Sequence, residues 1–451
     1  DMSVSAGRDL LVHGANLAAG GDAQITAGRD ITVDAVQSTT AQSVTKNSQH
    51  HWEANSTTNE TSAISAGGSL ATQSGGDTTL RGAQVSSGKD LAVIAGGNLT
   101  ATTVTNEARF DNVATDDRTR KEVDHTYDQQ AVATTFAAGR NATLAAVNAD
   151  AGGNARTDGK GNVTLTGSSV TSGTNAATPG SVTIAGNGNV TINEGREEHD
   201  SYTAVQSKRG SIVHGSTTDT MQASQANVGV ASTVSGDSVL VQSGKDLTVQ
   251  GSNVVGTNDV KLGAVGNVNI TTSQDTQNTQ SDYQKREYGF LSGLTVLNQL
   301  DGGLQGYTIG TRKTTDAQQA TQVTNNGSMI GSVNGNLTVT SGGDLHVTGS
   351  TLHAANDLGL AGRTVTIDAA QNTATQSEQQ SFSQTAISGG VSNPVIAAVQ
   401  TANQMRKDVK QTKGDARLDA LAAATTGLAA KNAADAVMRD PTSVGGVGIN
   451  V

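Results

Sequence analysis

The chain has no cysteine, three prolines, one tryptophan, five tyrosines and four phenylalanines among 451 residues. Without cysteine there are no disulfides and no thiolate metal sites, which suits either a cytosolic protein or one exported in an unfolded state. With aromatics at 2% and charged residues at 15%, a bulky core of the ordinary globular kind cannot be built. No run of eighteen apolar residues occurs, so no transmembrane helix is expected. The net charge of −11 argues against a nucleic-acid partner, because binding to phosphates relies on clustered Lys and Arg. No secretory leader is read at the start, where Asp1–Gly7 already sits inside a repeat. Gly448–Val451 reads as the start of another strand, and an excerpt from a longer chain is expected.

What is abundant is glycine, 54 residues of it, with Ser, Thr, Asn, Gln and Ala. Its arrangement is clearest in 244–270, GKDLTVQGSNVVGTNDVKLGAVGNVNI, where Asp246, Asp259 and Asn267 are thirteen and then eight residues apart. The same split joins Asp9, Asp22 and Asp30, and again Asp77, Asp90 and Asn98; its thirteen-residue part joins Asp344 and Asp357. A looser block at about 139–193 carries Asn141, Asn162 and Asn189. After each polar corner comes a short alternating run such as Leu247-Thr248-Val249, which puts the aliphatics on one face of a strand. Short strands, glycine corners and a period of 21 residues predict a parallel β-solenoid. The acids are then corner residues, capping backbone N–H groups. Ordering one residue costs roughly 1–2 kcal/mol and burying one aliphatic returns about 1.5–3 kcal/mol, so a single coil cannot stand alone. Three or so stacked coils are needed, and the blocks within 1–368 supply them.

Polar spacers at about 35–63, 103–136, 194–233 and 273–331 separate the blocks. They read as extended strand pairs or hairpins projecting from the rod, with disordered linkers as the alternative. The fourth holds an apolar cluster, Tyr288, Phe290, Leu291, Leu294, Val296, Leu297, Tyr307 and Ile309. Tyr288–Leu297 is long enough for a strand of a membrane barrel, although packing on the rod is the simpler expectation; these residues are the candidate membrane or partner contact. A further spacer follows at 369–393. Asn393-Pro394 then offers a helix start, and Val395, Val399, Ala402, Met405 and Val409 recur at helical spacing. Gly414 stops that helix, and Leu418, Leu421, Leu428 and Val437 continue a second until Asp440-Pro441. A helical hairpin over 394–438 is predicted, with 439–451 beginning another strand.

A search for chemistry yields little. No Gly-x-Ser-x-Gly elbow is present, and Gly82–Lys89 fails as a phosphate loop because Asp90 follows the lysine. The GGxGxD calcium motif is absent. His50 and His51 point to opposite faces of a strand with no third ligand in spacing, and the charged run 116–128 reads as a solvated hairpin. No catalytic, cofactor-binding or metal residue is assigned, and no enzyme or cofactor is expected.

The repeated Gly-Lys/Arg-Asp-Leu-x-Val-x-Gly-Ser motifs, together with 307–313 (YTIGTRK) and 331–339 (GSVNGNLTV), resemble the haemagglutinin repeats of filamentous-haemagglutinin-type exoproteins. The resemblance covers essentially the whole chain, and repetition is what makes it specific. It implies an all-β, right-handed parallel β-helical filament, exported through the outer-membrane transporter of a two-partner system and displayed at a Gram-negative cell surface. It also implies contact with a target-cell outer membrane or receptor, and a linked C-terminal toxin domain in the contact-dependent inhibition members. The helical hairpin tilts the reading toward toxin delivery. Alternatives are the stalk of an adhesin binding host glycan or receptor, and a β-helical polysaccharide-degrading enzyme, which would need Asp, Lys or Arg converging in one groove.

Overall fold

A computed structural model describes residues 1–149, 156, 158–173, 179–212, 214–291 and 308–383. Every regular element among them is a β-strand. Three parallel sheets of ten, ten and nine strands run side by side, and a fourth sheet of nine strands is antiparallel. One coil is Met2–Ala6 in sheet one, Leu10–His13 in sheet two and Asn16–Ala19 in sheet three. Ala23–Ala27 then returns to sheet one with Met2 opposite Ala23. The thirteen-residue step from Asp9 to Asp22 is therefore one sheet-two strand, a corner and one sheet-three strand, and the eight-residue step is the sheet-one strand. The predicted β-helix is what the chain forms.

Alternate side chains of the sheet-two strands point inward, as the burial of Leu247–Gln250 shows, while sheet-three strands such as Thr233–Gly236 and Asn253–Gly256 are buried throughout. Ile25, Ile31 and Ile64 meet from the three sheets of one coil, and Leu91, Leu99 and Phe136 from those of a later one; all are at most 1% exposed. Equivalent residues stack from coil to coil, as Leu247, Val268 and Leu345 do. Such a core is narrow and linear, which is why so few aromatics suffice. Proline is scarce because a parallel ladder between two neighbours needs every N–H.

The polar corners form a second ladder. Asp9, Asp30, Asp77, Asn98, Asn162, Asn189, Asp246, Asn267 and Asp344 precede successive sheet-two strands. The side-chain oxygen of each accepts the backbone N–H of the next, at 2.7–3.4 Å. The corner role expected of the acids thus takes an inter-coil form, each side chain capping the coil above and not its own turn. Close stacking also explains the paired glycines. A Cβ on Gly76 would run into Asp30 Oδ1, and one on Gly97 into Asp77 Oδ1.

Coils close in two alternating ways between sheets two and three. Some turn on one glycine with positive φ, namely Gly14, Gly82, Gly167, Gly251 and Gly349, with φ of 52–57°. The others leave the rod there, run through a long hairpin and return. The spacers therefore do not separate blocks; each is inserted within a coil, between its second and third strands. The helical hairpin expected at 394–438 and the strand at 439–451 lie outside the described residues.

Candidate functional site

The four hairpins comprise Val36–Asn47 with His50–Glu60, Val104–Ala114 with Arg120–Val132, Gly195–Gly210 with His214–Val230, and Ser273–Leu291 with Thr308–Asn326. Thr373–Phe382 adds a ninth strand. They do not stand singly. Each pairs antiparallel with the next, and rungs cross the whole sheet without a break. One runs Val44, Trp52, Asn112, Asp124, Thr203, Gln222, Ser281, Gln318, Glu378. A simple commensurability permits this. Hairpins leave every second coil, two coils rise by roughly 9.5 Å, and a hairpin is two strands, also roughly 9.5 Å, wide.

The sheet is a wing standing off the rod. In Gly195–Gly210 and His214–Val230 only Gly195 and Gly215 are buried, so both faces are wet. Arms lengthen along the chain, from 12 and 11 residues in the first hairpin to 19 each in the fourth, about 60 Å of extended chain. A shallow groove of about 510 Å³ crosses hairpins two to four, with Val123, Ala204, Met221 and Ala317 on its floor.

The root of the wing is held by a column that sequence reading missed. Ser168, Ser232, Ser252, Ser328 and Ser350 follow a glycine corner or a returning arm. The N–H of each donates to the hydroxyl of the next at 3.0–3.3 Å. Those hydroxyls donate to the carbonyls that end the sheet-two strands, as Ser252 does to Gln250 at 2.8 Å and Ser328 to Thr271 at 2.9 Å. The signal available was the recurrent Gly-Ser at Gly167, Gly251 and Gly349. Beside this column Glu194 is largely buried. Burial raises its carboxyl, against the hydrogen bond from Ser273 and the charge of Arg196.

Electrostatic pairs sew adjacent hairpins. Asp116, in the turn of hairpin two, accepts Lys46 Nζ at 2.8 Å and lies 2.9 Å from His50 Nδ1, both from hairpin one. The Lys46 bond, reinforced by His50, lowers its carboxyl to about 2. His199 Nδ1 of hairpin three lies 2.5 Å from Asp128 of hairpin two. His50, once weighed as a metal ligand, thus serves a carboxylate on the neighbouring hairpin. The run 116–128 is the turn and second arm of hairpin two.

Of the ten aromatic residues, eight lie on wing strands: Trp52, Phe110, Tyr127, Tyr202, Tyr283, Tyr288, Phe290 and Phe382. Trp52 and Phe110 pair with ring centroids 6.3 Å apart. Of the sequence candidates for membrane or partner contact, Tyr288 stands 57% exposed near the end of hairpin four, opposite Gly215. Phe290 pairs with Ile309 and Leu291 with Thr308 at the last described rungs of that hairpin. Leu294, Val296, Leu297 and Tyr307 lie outside the described residues.

Comparison with known proteins places the chain. The family model described as hemagglutinin repeat matches residues 42–116, 118–286 and 309–436. A relative from Burkholderia pseudomallei (strain 1026b), the tRNA nuclease CdiA-2, is 32% identical over 434 residues, covering 94% of this chain and 13% of its own length. A tRNA nuclease CdiA from Escherichia coli (strain STEC_O31) is 30% identical over 58% of this chain and 8% of its own. The 16S rRNA endonuclease CdiA of Enterobacter cloacae is 30% identical over 50% and 6% respectively. The chain therefore spans only a small part of these relatives. No solved structure matches it. With the family model covering most of its length and the coil-and-hairpin period running through it, the chain belongs to the hemagglutinin repeat family.

Proposed function

We propose that the chain is a non-enzymatic filament segment of a secreted contact-dependent inhibition exoprotein, presenting or helping deliver a C-terminal toxin to neighbouring bacteria. One observation carries this reading. Relatives named for different activities match this chain, a tRNA nuclease over 94% of it and a 16S rRNA endonuclease over 50% of it, and the matched part makes up 13% and 6% of their length. What is common to proteins whose nuclease activities differ is the part that carries the activity, not the part that performs it. The partners that follow are the outer-membrane transporter of a two-partner system, the target-cell outer membrane or a receptor on it, and a linked toxin domain. The wing is the contact surface, and its membrane- or partner-facing part is carried by Tyr288, Phe290, Leu291 and Ile309 of hairpin four together with Leu294, Val296, Leu297 and Tyr307, which lie between its two arms in the sequence. The test is to replace this segment within the full exoprotein by the matching segment of a relative that bears another toxin. Retained killing, with the original toxin's specificity, is expected. Cleavage of tRNA, rRNA or polysaccharide by the isolated 451-residue chain would overturn the reading. For the hairpin end, Phe290→Asp plus Leu294→Asp should abolish flotation of the chain with liposomes, and unchanged flotation would refute that assignment.

Adhesion is the second reading, favoured by the placing of eight aromatics on the wing, where rings beside Asn, Gln and Thr suit a partner's surface. Saturable binding of the isolated chain to host cells, competed by a soluble glycan, would support it over delivery.

A further inference from the structure

Positive charge is distributed unevenly over this acidic chain. On the rod, arginines at the corners and strand ends are neutralised: Arg29 by Asp9, Arg81 by Asp34, Arg140 by Asp90 and Arg363 by Asp344. Lys89, Lys245 and Lys261 are exposed on the rod without an ion-pair partner among the described residues, and a larger group of unpaired cations gathers toward the far end of the wing. Arg118, Lys121, Lys208, Arg209, Arg286 and Lys313 are all exposed and, among the described residues, have no carboxylate at ion-pair distance. Of the acids nearby, Glu122 is engaged by Arg120, Glu287 by Lys285 and Arg312, and Asp219 by the Gln206 amide.

The register aligns three of these cations. Lys208 pairs with Thr217, Thr217 with Arg286, and Arg286 with Lys313, so Lys208, Arg286 and Lys313 occupy one rung over four adjacent strands. Members of a rung share a face of the sheet, so the three ammonium and guanidinium groups form a row about 14 Å long. Lys208 is thirteen residues from Gly195, where its arm leaves the rod, which sets the row roughly 43 Å out. Two residues further out, on the same face, is Tyr288, its ring lying over Gly215. A row of unneutralised cations with an exposed phenol just beyond it is the arrangement that suits a lipid surface. Lys and Arg meet headgroup phosphates while Tyr, apolar at its ring and polar at its hydroxyl, settles at the interface.

We propose that Lys208, Arg286 and Lys313 form a phosphate-binding row that seats the outer end of the wing on an anionic lipid surface. This deepens the proposed contact of hairpin four with a membrane and rests on that reading for the orientation of the wing. It adds that attachment is electrostatic, depends on anionic headgroups and is carried by hairpins three and four jointly.

The test uses the full 451-residue chain and vesicles of phosphatidylcholine with or without about a third phosphatidylglycerol, read by co-sedimentation at low and at 0.5 M salt. Binding is expected only to the anionic vesicles and is expected to fall more than tenfold at high salt. Combined Lys208→Gln, Arg286→Gln and Lys313→Gln should reduce it more than tenfold. A rod control with the same charge change, Lys89→Gln, Lys245→Gln and Lys261→Gln, should change it less than twofold. Equal losses in both triple variants, or no loss in the wing variant, would overturn the proposal. So would binding to a sulfated polysaccharide such as heparin with none to vesicles. The Phe290→Asp plus Leu294→Asp variant separates the two readings. If it still binds anionic vesicles while the cation variant does not, the row stands and apolar insertion fails; the converse result sinks the row alone.

Discussion

Replacing Ser252 with alanine tests how the rod holds the root of the wing. Ser252 is fully buried; its Oγ accepts the Ser232 N–H at 3.3 Å and donates to the Gln250 carbonyl at 2.8 Å, while its own N–H donates to Ser328 Oγ at 3.2 Å. Alanine would leave the N–H of Ser232, itself 0% exposed, without an acceptor in a dry interior. A buried polar group so stranded costs about 1–3 kcal/mol. The comparison is Asp246→Ala at the corner ladder, where Asp246 Oδ1 accepts the Asn267 N–H at 2.7 Å in an exposed position. Water replaces that bond, so the loss should be nearer 0.5–1 kcal/mol, the lower part of the range for an ordinary hydrogen bond (about 0.5–1.5 kcal/mol). Because each coil touches only its neighbours, either loss should stay local. Amide hydrogen exchange reads both: Ser252→Ala should speed exchange at Ser232 by about tenfold or more and leave the first coils unchanged. The reasoning fails if Asp246→Ala is as costly as Ser252→Ala, or if the Ser232 amide stays as protected as before.

Three further outcomes follow from particular contacts. Asp90 is held at a pKa of about 2, chiefly by its hydrogen bond with Arg140 and against some desolvation. A carboxyl lowered in the folded state contributes stability above its unfolded pKa, lost as pH falls from about 4 toward 2; a urea-midpoint profile of Arg140→Gln should show a shallower acid limb, the Asn141 bonds to Asp90 being kept. Gly251 turns at φ 53°, where a Cβ would overlap Ser273, so Gly251→Ala should lower stability by about 2 kcal/mol or more. Gly263, an in-strand position with open space around its missing Cβ, should accept alanine at no loss, and equal effects in thermal denaturation would refute the contrast. Excising hairpin three, so that Asn193 joins Ser232 through one glycine, reproduces the Gln250-Gly251-Ser252 corner. The rod should fold, with proteases now cutting hairpins two and four beside a gap about 9.5 Å wide; a rod that no longer folds would contradict the insertion model.

Much of the rod was legible because its causes are local. Thirteen-plus-eight spacing of Asp9, Asp22 and Asp30 follows directly from three short strands and their corners. The aliphatic alternation in Leu247-Thr248-Val249 reports which side chains face inward. The arms Ser273–Leu291 and Thr308–Asn326 fall inside the spacer read at about 273–331. Lateral pairing of the hairpins was not legible. Strands of Thr, Gln, Ser and Asn with two wet faces carry no hydrophobic alternation to fix a partner or a register. The register comes instead from the rod, through the two-coil separation of their roots, which no single spacer records. The Ser column was hidden because Ser252 and Ser232 look alike whether they end a solvated loop or sit in the core. The cations Lys208, Arg286 and Lys313 lie far apart in sequence, and only the rung joins them.

The central claim is that hairpins from alternate coils form one sheet in a single register, and a cross-link measures it directly. The natural chain has no cysteine. Thr126 of hairpin two faces Ser201 of hairpin three, whereas Asp200 points to the opposite side of the sheet. Thr126→Cys with Ser201→Cys is predicted to oxidise to an intramolecular disulfide, and Thr126→Cys with Asp200→Cys to remain reduced. No disulfide in the first pair, or equal yields in both, would contradict a wing assembled in register.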